Sequence, residues 1–125
     1  DLAYMGTRFI NTQESAAPPE YREMIIEAGA SDIVYTAAIS GVHANFLGPS
    51  LRAAGLTEED LKKDTKIDFG KELDTEAKAW KTIWSAGQGV ATIHDVLPVD
   101  KLVARLREEF LEALKAQASV LDHYR

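Results

Sequence analysis

The chain has 125 residues, with 14 basic and 20 acidic side chains and a formal charge of −6. Its composition, 46% hydrophobic and 27% charged, suits one soluble globular domain, and a pI near 5.0 argues against a nucleic-acid phosphate partner. There is no cysteine, which excludes disulfides, thiolate metal sites and a cysteine nucleophile, and no apolar run reaches the roughly 18 residues that span a bilayer.

In chain order, the sequence opens without an initiator methionine, on Asp1-Leu2-Ala3-Tyr4-Met5. A terminus is ordinarily polar and loosely held, so this start reads as a strand cut out of something larger. It shows no basic n-region followed by an apolar h-region, and a cytoplasmic setting is the default expectation. The residues from Leu2 to Met5 do not alternate with polar ones, the pattern of a buried strand of parallel type. Gly6 then stands at its C-terminal end. Residues 11–17 are small and polar, a loop or a first helical turn. Pro18-Pro19-Glu20 is a helix start, and Tyr21, Met24, Ile25 and Ala28 share one helical face, with Gly29 as its C-cap. Ile33-Val34-Tyr35-Thr36 reads as a short strand, whereas residues 42–47 satisfy neither period. Residues 49–54 form a short helix ended by Gly55, and Thr57 caps another, whose first turn carries Glu58, Glu59 and Asp60. Residues 62–74 are mostly charged and read as a surface loop. A helix over 76–84 places Ala77, Trp80 and Trp84 on one face and ends at Gly87-Gln88-Gly89. From Pro98 onward, Val99, Leu102, Val103, Leu106, Phe110, Ala113, Leu114 and Leu121 fall at helical spacing opposite a charged face, an amphipathic helix of roughly five turns. These few strands cannot close a sheet, so the first one lacks partners.

Chemistry concentrates after the first strand. In Met5-Gly6-Thr7-Arg8 the missing Cβ lets an anion approach the backbone N–H groups and the hydroxyl adds a donor; a plain turn glycine is the alternative. Ser85-Ala86-Gly87-Gln88-Gly89 is either a backbone turn beside a ligand or a helix exit. His43, His94 and His123 have no metal-ligand spacing; His43 lies among apolar residues and could face a pocket. Glu58-Glu59 and Glu108-Glu109 are adjacent in sequence, so they splay apart on a helix as solvated faces.

The ensemble resembles a known family. Residues 2–10 with Thr12-Gln13-Glu14-Ser15 look like the final barrel strand of nitronate monooxygenases, formerly called 2-nitropropane dioxygenases. The similarity continues through Tyr21 with Met24, residues 32–36, residues 41–47 with Pro49-Ser50, Ala79-Trp80-Lys81 and residues 84–90. It corresponds to roughly the last third of a family member. The resemblance implies an α/β chain, mostly helical with a few short strands, that is a C-terminal fragment of a TIM (β/α)8 barrel flavoprotein. Residues 1–30 would hold the last barrel strand and the following helix, 31–95 an insert or cap, and 96–125 the C-terminal amphipathic helix.

It also implies FMN as cofactor, with Gly6 and Thr7 at its phosphate and Met5 and Arg8 as flanking backbone. The activity implied is oxidation of alkyl nitronates by dioxygen. The family's active-site histidine lies upstream, so no catalytic residue is carried onto this chain, which alone should be inactive. The 86–89 segment returns toward the active site, which makes Gly87 and Gln88 candidates for contact with flavin or substrate. Residues 42–45 depart from the arginine-bearing version common in relatives, which weakens a substrate role for His43. The implied partners are a nitronate and dioxygen, with neither nucleic acid nor membrane; a homodimer stays open. Two alternatives stand beside this. Flavin-dependent enoyl-acyl-carrier-protein reductases share the barrel and a similar Gly-Thr strand end, although the long insert over 32–74 favours the nitronate side. A non-catalytic α/β interaction module is the other.

Overall fold

The structure, a computed structural model, describes residues 2–63, 66–67 and 81–125. Residues 76–80 of the helix expected over 76–84, Trp80 included, lie outside the described residues, as does much of the charged stretch 62–74. The described elements are α1 (Thr7–Ile10), α2 (Pro19–Glu27), β1 (Ile33–Thr36), β2 (Ala44–Leu47), α3 (Gly48–Ala53), α4 (Glu58–Leu61) and α5 (Val99–His123), with short 3-10 turns at Ala30–Asp32 and Gln88–Thr92. The chain is thus α/β, mostly helical, with one two-stranded sheet among the described residues.

The expected strand at Leu2 to Met5 does not form. These residues have no ladder partner among the described residues, and Leu2 and Tyr4 are fully exposed. The reason is physical: strand propensity is realised only when a neighbour accepts and donates the backbone hydrogen bonds. The chain instead turns at Gly6 into the single helical turn of α1.

α2 starts at the two prolines, where the missing N–H groups cost nothing. Its apolar face buries Ile25 and sets Tyr21 and Met24 against the same core. Gly29 does not adopt the left-handed C-cap conformation expected of it: Ala28 caps α2, and extended Gly29 leads into the following 3-10 turn, donating its N–H to Asp32 Oδ2 at 2.8 Å. β1 and β2 pair antiparallel, with Ile33 opposite Leu47 and Val34 opposite Phe46. Successive side chains of β2 point to opposite faces, which feeds two cores. Leu47 joins Ile25, Ala28, Ala86, Val90 and Ile93. Phe46 joins Ile39, Leu51 and Ile83.

β2 then runs straight into α3 through Gly48, where a Cβ would sit 2.7 Å from the Asp32 carbonyl oxygen. Glycine is required there by close approach of two backbones. α3 ends as expected at Gly55, whose φ of +84° is left-handed. Thr57 caps α4 reciprocally with Asp60, whose N–H reaches Thr57 Oγ1 at 3.2 Å while its carboxylate accepts the Thr57 N–H at 3.1 Å. The bond from the Thr57 N–H first of all, then those from Lys63 and from the Thr57 hydroxyl, hold the Asp60 carboxyl down to about 2.

α5 is longer than the five turns its apolar spacing suggested: its 25 residues make about seven turns. The Glu14 carboxylate accepts the Val99 N–H at the helix start, 3.0 Å from either oxygen. Asp95 and Arg105 form a bidentate pair at 2.8 and 3.2 Å. Together with the parallel bridge between Thr12 and Leu97, these contacts fix the first turns of α5 beside α1. Leu102 is buried, but beyond Leu106 every residue of the helix is exposed, including Phe110, Leu114 and Leu121. Helix-forming Glu, Leu, Ala and Lys residues sustain those later turns without a packed face.

Candidate functional site

α1, the turn at 88–92 and the first half of α5 enclose a cleft of about 690 Å³, within the range usual for small-molecule sites. Tyr4, Met5, Gly6, Thr7 and Arg8 form one wall. Gly87, Gly89, Thr92 and Ile93 form the second, and Leu106 with Glu109 of α5 the third.

The walls are tied together by the Thr7-Arg8 dipeptide. The Gly87 N–H donates to Thr7 Oγ1 at 2.9 Å, a link across 80 residues of sequence. Because Thr7 accepts this bond through its oxygen, its hydroxyl proton stays available as a donor. The Arg8 guanidinium donates to the Thr92 carbonyl and lies 3.6 Å from the Glu109 carboxylate. Thr7 and Arg8 therefore grip the two ends of one short turn. Behind this wall Tyr21 stacks on Trp84 with ring centroids 4.9 Å apart, and its hydroxyl donates to the Ser85 carbonyl. Burial outweighs that bond and pushes the Tyr21 hydroxyl pKa up.

The glycines leave room rather than relieve strain. Gly6 has φ −107° and ψ −62°, a conformation open to any residue. A Cβ at Gly6 or at Gly89 would meet nothing within 4 Å, and one at Gly87 would only touch Thr7 Oγ1 at 3.6 Å. Nothing in the described chain demands glycine at 6 or 89, so the space beside them suits a ligand that comes close to the backbone. The donor set fits a phosphate ester: the Thr7 hydroxyl and the backbone N–H groups of Thr7 and Arg8 at the start of α1, whereas the Phe9 N–H is already taken by the Gly6 carbonyl at 3.0 Å. Among the lining residues Arg8 and Glu109 bear opposite formal charges, so their sum is zero.

Of the residues singled out in the sequence, Met5, Gly6, Thr7, Arg8 and Gly87 share this cleft. Gln88 opens the 3-10 turn but is exposed and does not line it. His43 is exposed beside Tyr35, their rings 4.9 Å apart next to the β1–β2 pair, and is not part of the cleft. Sequence reasoning missed Leu106, Glu109, Thr92 and Ile93. Leu106 read as core and Glu109 as a solvated face, and no local pattern marks either as close to α1. Among the described residues no group of acidic residues and histidines could hold a metal, and no helix is long and apolar enough to cross a membrane.

A family model described as nitronate monooxygenase matches residues 2–109. A curated nitronate monooxygenase from Paraburkholderia phytofirmans is 31% identical over 121 residues, covering 90% of this chain and 32% of the relative. The chain spans about a third of the length of that relative. No solved structure matches it.

Proposed function

Because the chain belongs to the nitronate monooxygenase family, we propose that it is the C-terminal part of an FMN-dependent enzyme on a TIM barrel that oxidises alkyl nitronates with dioxygen. In this reading residues 2–5 complete the barrel wall and the exposed apolar face of α5 is covered by the upstream part of the protein. The reaction is placed in the cytoplasm.

The observation that carries the reading is the cleft itself: a Gly-Thr pair directly after an apolar segment, with unfilled space at Gly6 and Gly89 and a free hydroxyl proton on Thr7. Gly6 and Thr7 would hold the phosphate, with the backbone of Met5 and Arg8 beside them. Leu106 and Ile93 would exclude water from one side of the cleft. When bound, the flavin supplies the redox chemistry; this chain's part is to bind and orient it. No proton-transfer role falls on His43, His94 or His123, since none lines the cleft.

The experiment is a flavin-fluorescence titration of this chain beside a form extended upstream to a whole barrel, followed by nitronate-dependent oxygen uptake. The reading expects FMN binding and oxygen uptake from the extended form alone. If the extended form binds no FMN, the reading fails. Binding of FMN with turnover of an enoyl thioester instead of a nitronate would favour the reductase alternative.

A further inference from the structure

The arginine beside the proposed phosphate subsite is already engaged. Arg8 donates to the Thr92 carbonyl and faces Glu109 of α5, and its side chain is only 14% exposed. Its neighbour Thr7 accepts the Gly87 N–H. These contacts fall at the two ends of the Gln88–Thr92 turn, whose own closure rests on Val90 N–H to the Gly87 carbonyl at 3.2 Å and Ile93 N–H to the Val90 carbonyl at 3.0 Å. The Thr92 carbonyl takes one of the five guanidinium N–H donors and the Glu109 carboxylate offsets the charge, so Arg8 has partners within the chain itself, without a ligand.

We propose that Arg8 is a positioning residue: its side chain clamps the 88–92 turn and α5 around the cleft through Thr92 and Glu109, and the ligand's phosphate is held by uncharged donors of the Gly6-Thr7 segment. The cleft thus recognises a phosphate monoester without spending a positive charge on it. Two walls of the cleft depend on this clamp, so its loss widens the site for every part of the ligand and not for the phosphate alone.

The binding half of this inference rests on the flavin reading above; the clamp half does not. The test compares FMN with riboflavin, which lacks the phosphate, on the whole protein carrying Arg8→Gln. The clamp predicts that both flavins weaken by the same factor, roughly tenfold, with their affinity ratio kept within about twofold of wild type. A selective loss of FMN that collapses the ratio overturns the proposal, because it makes Arg8 a phosphate ligand. Glu109→Gln keeps the side chain's size and gives an opposite sign in the two cases: a clamp weakens both flavins equally, whereas freeing a phosphate-binding arginine tightens FMN alone. Amide hydrogen exchange supplies a readout independent of flavin. Arg8→Gln should speed exchange at Val90 and Ile93; unchanged protection there overturns the clamp. If wild type binds neither flavin while exchange still accelerates, the flavin reading has failed and the clamp stands.

Discussion

Replacing Gly6 by alanine separates the needs of the chain from those of its ligand. The added methyl meets nothing within 4 Å, and the backbone at φ −107° and ψ −62° accepts it. Stiffening the unfolded chain contributes about 0.4–1 kcal/mol of stability. Losing the small preference of a helix N-cap for glycine over alanine offsets a similar amount. The flavin-free protein should therefore unfold within about 0.5 kcal/mol of wild type. Binding should respond very differently. The methyl keeps a phosphate oxygen at van der Waals distance from the segment, where an N–H bond needs about 2.9 Å. Losing one charge-assisted bond costs about 1.5–3 kcal/mol, which is roughly 10- to 150-fold in Kd. Chemical denaturation without flavin and fluorescence titration with FMN, both on the whole protein, measure the two quantities. Unchanged FMN affinity would refute the phosphate assignment. A loss of stability above about 1 kcal/mol would show that the chain itself needs glycine there.

Other substitutions test the frame around the site. Gly48→Ala places a methyl 2.7 Å from the Asp32 carbonyl, so it should destabilise by about 1–3 kcal/mol through overpacking, read from the denaturation midpoint. Tyr21→Phe removes the bond to the Ser85 carbonyl while keeping the stack on Trp84, and should cost about 0.5–1.5 kcal/mol. The pH dependence follows from Asp60, whose carboxyl is held down to about 2 by Thr57 and Lys63. A depressed folded-state value means a stabilising contribution present above the ordinary value of 3.8 and lost as pH falls toward 2. An NMR titration should find the Asp60 midpoint near 2, and Thr57→Ala, which removes the hydroxyl bond but keeps the backbone N–H and Lys63, should raise it only part of the way to 3.8.

Elements with a full hydrophobic period were legible in the sequence. α2 begins at its two prolines and buries the face that contains Ile25, and β1 carries the β-branched and aromatic residues a strand favours. What escaped depends on partners far along the chain. β2 has Asn45 at an exposed position and shows no clear alternation; pairing with β1, and the Leu47 N–H bond to the Trp84 carbonyl, make it a strand. Residues 2–5 have the composition of a strand and, among the described residues, no neighbour to become one. The length of α5 was underread because its later turns rest on helix propensity while their apolar residues stay exposed. At the site, Met5 to Arg8 stood out as one contiguous stretch. That Gly87, Thr92 and Glu109 close around it follows only from long-range bonds such as the one between Thr7 and Gly87.

The central claim is that a phosphate ester sits on the Gly6-Thr7 segment. Its most direct test is the amide NMR spectrum of the whole protein titrated in parallel with FMN and with riboflavin. The account predicts large shifts of the Gly6 and Thr7 amides with FMN and much smaller ones with riboflavin. FMN bound with both amides unmoved would contradict it.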